Sequence, residues 1–396
     1  MRALFFSLPL HGHTNPSLPL VRELIAHGDE VIYYSNAHLA ERIEQAGAQY
    51  RPYRQSGLAD LKGLPERMEQ ITVLLMQATL ESLDRQLAEW RDARPDYLIA
   101  DSVAPWGHWA AKLLALPLVT SVPTLALNRR VLSYGIARGV RPRSASLFFA
   151  KLRCLVQASK IRGLVKRRYR VDGPGVIGSL CGRSQLNIVY TSRYFQPCAG
   201  SFDETFQFVG PSAADRRETV PFPWERVGEG KLVYISMGTL FNSDVAFYRA
   251  CFDALRDEPC QVVLSTGANV AIESLGPPPA NFIVQPYVPQ LDVLARAGAF
   301  VSHGGMNSVN ESLAHSVPLL TIPQMGEQHI NGKRVEELGA GLLLPNAKAT
   351  PERLRHAVRR LWAEPQFREG AARVRQSFES AGGAARAAQL IRDFTR

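Results

Sequence analysis

The sequence predicts an α/β protein of two domains, each built on a parallel sheet. Short apolar runs bounded by turn residues alternate with longer segments of helical period, the pattern of βαβ units. The alternation occurs twice, on either side of an aperiodic Pro- and charge-rich stretch at 209–223. The chain has 396 residues, enough for two cores at roughly 100 to 200 residues per domain. The expected division is 1–212 and 213–380, with 381–396 forming a terminal helix after Gly382-Gly383 that can pack back on the first domain.

In the first series Ala3–Leu8 reads as a buried strand and Pro16–His27 as a helix, with Asn15 as N-cap and Pro16 at its first position. Gly28 stops that helix, and Glu30–Ser35 is the next strand. Glu66–Trp90 has the period of a long amphipathic helix, followed by strand Asp96–Ala100, helix Pro105–Ala115 and strand Leu116–Val122. The second series opens with strand Lys231–Gly238, helix Asp244–Arg256 and strand Gln261–Gly267. Strand-like runs at Asn281–Pro286, Ala299–Gly305 and Pro318–Pro323 follow, each leading into a helical segment.

Composition excludes several classes. With 46% apolar and 21% charged residues the chain is neither disordered nor collagen-like, and a soluble globular protein is expected. Five cysteines without a Cys-x-x-Cys pair support neither a disulfide framework nor a zinc cluster, so a reducing cytoplasm is the expected setting. The N-terminal run ends at Pro9 before two histidines, which reads as a first strand rather than a signal peptide, and no stretch has the length of a membrane span. The net charge of +10 is local: Ser102 to Val171 holds fourteen Lys or Arg and no acid, leaving 32 basic and 36 acidic residues elsewhere. That distribution argues against a protein coated in positive charge.

A parallel sheet places ligands at the carboxyl ends of its strands, so strand-to-helix loops are where chemistry is expected. The strongest is 299–328, where a strand ends in His303, two glycines allow close backbone approach, and a helix starts near Asn307 and Ser308. The amides after Gly305 and the positive helix end suit a phosphate, with His303 as an added donor. Glu311, one turn beyond Asn307, can accept from vicinal hydroxyls such as those of ribose. Neither G-x-G-x-x-G nor G-x-x-x-x-G-K-[ST] is present, which removes the main support for a dinucleotide or kinase reading. Ser236-Met237-Gly238-Thr239 offers hydroxyls and amides, and Tyr287-Val288-Pro289-Gln290 offers a ring for stacking on a base and backbone groups for its edge. Each of these loops alone is also compatible with a plain turn.

In the first half, His13 lies in His11-Gly12-His13-Thr14-Asn15-Pro16, just before the expected helix, where the dipole favours a neutral imidazole able to act as a base. Asp101 ends the strand YLIAD on the same lip and can orient that ring; no nucleophilic Ser or Cys accompanies the pair. A metal pair of His11 and His13 lacks a third ligand, and a structural His13 is the bland alternative.

The motifs GHTNP, ISMGT, YVPQ, SHGGMNSVNES and PQMGEQ, in order, together with the SRYFQP and FVGPS segments before the domain boundary, resemble the UDP-glycosyltransferases of GT-B fold, nearest the bacterial macrolide-glycosyltransferase-like branch, over nearly the whole chain. The resemblance implies two Rossmann-like domains facing across a cleft. It implies an inverting transfer of a hexose, with UDP-glucose as co-substrate and no other cofactor or metal. It casts His13 as the base that deprotonates an acceptor hydroxyl and Asp101 as its support. Thr239, His303, Asn307 and Ser308 would hold the diphosphate, Glu311 the ribose, and Glu327 with Gln328 the donor sugar; Ser236, Gly238, Val288, Gln290 and Gly305 complete the donor loops. Against the plant signature, Tyr287 and Met306 replace tryptophans, Glu327 replaces an aspartate, and the spacing from Tyr287 to His303 is two residues shorter.

The acceptor side is expected to be apolar, lined by about Gly57 to Met76 and by Thr124 to Phe149, which fits a hydroxylated polycyclic small molecule. Within the basic block Phe148, Phe149, Leu152, Leu155 and Val156 recur at helical spacing beside Lys151 and Arg153, so the plain expectation is a helix with its apolar side on the acceptor pocket and its charges in water. A peripheral contact of residues 129–170 with an anionic membrane is the sharper alternative, and no nucleic-acid partner is expected. The rival functions are a sugar-nucleotide 2-epimerase and a non-catalytic lipid- or nucleotide-binding protein on the same fold.

Overall fold

A computed structural model describes residues 1–54, 68–136, 145–176, 178, 181–211, 220–239 and 242–396, and the side chains of 68, 69, 136 and 145–151 stand outside that description. The boundary stretch at 212–219, most of the stretch after Gly57 and the side chains of Phe148 and Phe149 therefore fall outside the described residues. Contacts divide the chain into two units, Met1–Ser212 with Ala381–Arg396, and Ala213–Ser380.

The first unit holds a parallel sheet of β1 (Arg2–Phe6), β2 (Glu30–Ser35), β3 (Gln49–Pro52), β4 (Tyr97–Asp101), β5 (Leu118–Val122), β6 (Leu186–Val189) and β7 (Phe206–Phe208). Their order is β3-β2-β1-β4-β5-β6-β7, so the direction of winding reverses between β1 and β4. The helices are α1 (His11–Thr14), α2 (Leu18–Ala26), α3 (Ala40–Gln45), α4 (Met68–Asp92), α5 (Pro105–Leu114), α6 (Arg129–Ile136) and α7 (Ala145–Tyr169). The central strands β1, β2 and β4 are near-continuous apolar runs because both faces are covered, whereas the edge strand β3 is polar and exposed. Phe5, Tyr33 and Ile99 pack to one side, and Phe6, Tyr34, Trp90 and Trp106 to the other.

The second unit repeats the plan with β8 (Leu232–Ser236), β9 (Gln261–Ser265), β10 (Phe282–Gln285), β11 (Ala299–Ser302), β12 (Leu319–Thr321) and β13 (Gly341–Leu343), all parallel in the order β10-β9-β8-β11-β12-β13. Its helices are α8 (Val245–Leu255), α9 (Gln290–Leu294), α10 (Met306–Ala314), α11 (Gly326–Glu337), α12 (Pro351–Ala363) and α13 (Pro365–Glu379). Asp244 caps α8 by accepting from Phe247 N–H at 3.0 Å, a contact of the kind that contributes about 1 kcal/mol. The expected α/β class with two parallel sheets is what the chain forms, and the reversal here lies between β8 and β11.

The last helix, α14 (Gly383–Thr395), belongs to the first unit. Ala387, Ala388 and Ile391 are fully buried in the same core as Leu20 and Leu24 of α2, and Gly383 N–H donates to the carbonyl of Val209 at 2.7 Å.

One local expectation is corrected. The helix expected to open at Pro16 opens at His11, and Asn15 is not its N-cap but sits at helical φ and ψ. His13 and Thr14 N–H groups both donate to Leu10, so the motif itself is the first helical turn. Pro16 then interrupts the ladder, because it lacks an N–H and its ring crowds the preceding turn. A 3-10 segment at Asn15–Ser17 bridges the break before α2 resumes at Leu18. Gly28 ends α2 with φ of 91°, as a stop signal should.

Candidate functional site

In the first unit the reversal point carries a histidine–aspartate pair, the aspartate buried and the histidine partly so. The Nδ1 of His13 lies 2.7 Å from Oδ2 of Asp101, with the two side chains 15% and 1% exposed. α1 presents the histidine just after β1, and β4, hydrogen-bonded beside β1, ends in the aspartate, so the two meet across adjacent strand ends. The second carboxylate oxygen accepts from Val103 N–H at 2.9 Å, which fixes its plane. With a carboxylate on Nδ1 the imidazole carries its proton there and keeps its lone pair on Nε2, the tautomer a general base needs.

Hydroxyls and aromatic rings surround the pair. Ser17 Oγ and Tyr33 OH are 2.7 Å apart, Ser121 Oγ and Tyr190 OH 3.1 Å, and Tyr53 OH donates to the Ser7 carbonyl at 2.9 Å. Burial pushes the Tyr33 phenol up to about 12, against the opposing pull of its Ser17 hydrogen bond, so it stays neutral beside Asp101. His108 is buried nearby and its pKa is pushed down by burial to about 4, so it too is neutral.

The second unit places its motif at the matching position. Ser236 of β8 and Ser302 of β11 are register partners, and each strand ends in Ser-x-Gly. Gly238 N–H donates to Ser236 Oγ at 3.4 Å, and Gly304 N–H to Ser302 Oγ at 3.3 Å. Each glycine carbonyl is held in turn by a buried amide, Asn242 Nδ2 on Gly238 at 2.7 Å and Asn331 Nδ2 on Gly304 at 2.9 Å. These two asparagines are missing from the sequence reading. The repeated Ser-x-Gly at paired strand ends is the signal that could have directed attention to them.

His303 fills the space between the two loops. A Cβ on Gly238 would come within 2.6 Å of its ring, and one on Gly305 within 2.3 Å, so the glycines make room for the imidazole. Burial lowers the His303 pKa to about 4. At neutral pH it can offer an anion one N–H, and no positive charge. The first helical bond of α10 runs from Val309 N–H to Gly305 at 3.0 Å, so the amides of Met306, Asn307 and Ser308 lie outside the ladder at the positive end of the dipole. Thr239 is exposed beside this end.

The remaining donor-loop residues divide. Tyr287 is 52% exposed, as a stacking surface requires, while Val288 is buried beneath it. Gln290 turns inward instead: its amide donates to Glu311 and its oxygen accepts from Tyr234 OH at 2.9 Å, which aligns the buried Glu311 carboxylate. Gln328 is 6% exposed and caps α11, its Oε1 accepting from Gln324 and Met325 N–H at 2.8 and 3.3 Å. Its NH2 is the part suited to a ligand hydroxyl. Glu327, one residue earlier, is exposed.

Among the described residues of the first unit, a cavity of about 110 Å³ borders Ser102, next to Asp101, and runs between Leu125, Leu127, Phe202 and Phe206. Its wall is fixed by the buried amide of Gln196, which bonds both N–H and C=O of Ala126 at 3.0 Å. No helix of the described residues is long and apolar enough to cross a membrane.

Residues 251–391 match the family of the erythromycin biosynthesis protein CIII-like C-terminal domain. The chain is 33% identical to the NDP-glycosyltransferase YjiC of Bacillus subtilis (strain 168), over 98% of this chain and 96% of that protein. It is 31% identical to the demethyllactenocin mycarosyltransferase of Streptomyces fradiae, over 98% and 85%. The crystal structure of CalG4, the calicheamicin glycosyltransferase, superposes with a TM-score of 0.81 at 29% identity, covering 99% of this chain and 98% of that one. With these motifs in order, both reversal points occupied and these relatives covering 98% or more of its length, the chain belongs to the UDP-glycosyltransferase superfamily of GT-B fold, on the branch of macrolide and natural-product glycosyltransferases.

Proposed function

We propose that the enzyme transfers glucose from UDP-glucose, with inversion, to a hydroxyl of an apolar small molecule, giving a β-glycoside. The observation that carries the reading is the 2.7 Å His13–Asp101 pair at a strand-order reversal, a base with its orienter. Such a pair suits direct attack by an acceptor hydroxyl in a single displacement. His13 Nε2 takes the hydroxyl proton as the oxygen attacks the anomeric carbon. The C1–O bond to the diphosphate breaks on the opposite side, inverting that carbon, and the electron pair leaves on the nucleoside diphosphate.

The leaving charge is assigned to the α10 amides, the His303 N–H and the Thr239 loop, and in this reading no metal has a part. Glu311 is assigned to the ribose, Tyr287 to the base, and Glu327 with the Gln328 amide to the sugar hydroxyls. Glucose as donor is supported by Glu327 and Gln328 and by two B. subtilis relatives named as uncharacterized UDP-glucosyltransferases, YojK and YdhE, each 30% identical. The apolar acceptor is supported by the Leu- and Phe-lined cavity beside Ser102 and by relatives whose names place them on macrolides such as oleandomycin.

The test is release of nucleoside diphosphate from a panel of UDP- and dTDP-sugars with and without hydroxylated polyketide and flavonoid acceptors, with product mass and anomeric proton coupling recorded. Acceptor-dependent release from UDP-glucose with a β-linked product is the expected result. Turnover without acceptor would identify an epimerase, and binding without turnover a non-catalytic protein; preference for another donor would overturn the glucose assignment alone.

A further inference from the structure

Helix α7 is apolar on two sides. One side is buried: Ala158, with Cys154 and Ile161 partly covered, packs on Val73 and Met76 of α4. The other faces water, with Leu152, Leu155, Val156 and Leu164 each between 41% and 48% exposed. Single exposed leucines are ordinary, but four of the eight large apolar side chains exposed among the described residues fall within thirteen residues of this one helix. Ser159 and Gly163 leave a shallow groove between them. The expectation of one apolar side on an acceptor pocket and a charged side in water is thus not what α7 shows.

The charges divide in the same way. Arg162 and Lys166 pair with Asp172, and Arg168 with Asp84, off the exposed apolar row. Arg153, Lys160, Arg167 and Arg170 are exposed and pair with no carboxylate among the described residues. At helical spacing Lys160 stands one turn from Val156, and Arg167 one turn from Leu164, so the unpaired cations are interleaved with the exposed apolar side chains. From Ser102 to Val171 there is no acid to neutralise them.

We infer that this outward face of α7 docks reversibly on an anionic lipid bilayer. A lipid interface satisfies both halves of the pattern, taking the leucines to the acyl boundary and the cations among the headgroup phosphates. A second copy of the chain would bring two such rows of unpaired cations together, which charge repulsion opposes. The link to catalysis rests on the apolar-acceptor reading, because an acceptor that dissolves in a bilayer is best met there. The docking itself does not rest on it.

The test is sedimentation of the full chain, without nucleotide or acceptor, with vesicles of phosphatidylcholine alone or mixed with phosphatidylglycerol. Binding is expected only with phosphatidylglycerol and only at low salt. Lys160→Glu with Arg167→Glu should weaken it at least about tenfold. Val156→Ser with Leu164→Ser should weaken it at unchanged charge. Both double variants should keep the wild-type thermal midpoint and the wild-type rate on a water-soluble acceptor without lipid. No partition of the wild type onto phosphatidylglycerol, undiminished partition of both variants, or a solution dimer that Val156→Ser with Leu164→Ser dissociates would each overturn the inference. Wild-type docking without any acceptor-dependent turnover would leave it standing and overturn the transferase reading instead.

Discussion

The two units share one strand order and place their polar residues at the same reversal in it, yet they build different chemistry there. Between β1 and β4 stands a titratable pair, His13 with the 1%-exposed Asp101, among neutral hydroxyls. Between β8 and β11 the histidine is held neutral by burial, and the groups facing outward are backbone amides at a helix end. The first arrangement can move a proton. The second can steady negative charge without moving anything, since amide dipoles need no reorganisation when charge develops. The same topology thus holds a titratable pair on one unit and outward backbone amides on the other, and what differs is whether a carboxylate stands beside the imidazole.

That contrast makes predictions of graded size. The largest is for His13→Ala, expected to lower transfer by on the order of 10³-fold or more while isothermal titration with UDP gives nearly the wild-type affinity. A variant that turns over at the wild-type rate would remove the base assignment. Asp101→Asn keeps the hydrogen-bonding shape but presents an amide to the ring; transfer should fall by roughly 10² to 10³-fold, with the acid limb of the pH–rate profile displaced, and unchanged kcat would show the carboxylate to be structural.

On the other unit Gly305→Ala drives a methyl into the His303 ring. UDP affinity should drop about tenfold or more, and the His13-dependent pH profile should not shift; equal affinity would mean that His303 does not face the nucleotide. Asn331→Ala removes the amide on the Gly304 carbonyl and should cost about 1 to 3 kcal/mol in denaturant unfolding, with a smaller loss of nucleotide affinity. Asn242→Ala should match it if the two loops are equivalent.

The smallest effect concerns acid. His108 and His303 have folded pKa values lowered from 6.5 to about 4, so the native rings refuse protons that the unfolded chain accepts. Their contribution to stability is complete above pH 6.5 and is lost as pH falls toward 4. His108→Asn should reduce the slope of unfolding free energy against pH in that interval by up to one proton; an unchanged slope would show His108 to be accessible to water.

Much of this contrast could be read before the fold was known, because strands buried on both faces leave unbroken apolar runs, and loops that close on ligands keep small residues at fixed spacing. YLIAD and AFVSHGG located Asp101 and His303 at strand ends correctly. What escaped the sequence depends on contacts between distant residues. Asn331 reaches a carbonyl 27 positions away and Gln196 one 70 positions away, and no local pattern marks either. The early start of α1 was hidden because Pro16 is a strong initiator signal that here sits at a break between two helical turns. In α7 the apolar period was visible, but which apolar side meets α4 and which meets water is set by packing.

The placement of α14 has a practical consequence for recombining such proteins. Because residues 381–396 are built into the core of the first unit after the second has been completed, the chain passes between units twice. A chimera that exchanges second units with a relative at one junction near 212–213 would graft a foreign α14 onto Leu20 and Leu24. A second junction at 380–381 keeps the native helix with its own groove, so unit-swapped libraries built as insertions should yield more folded protein than those built as simple fusions.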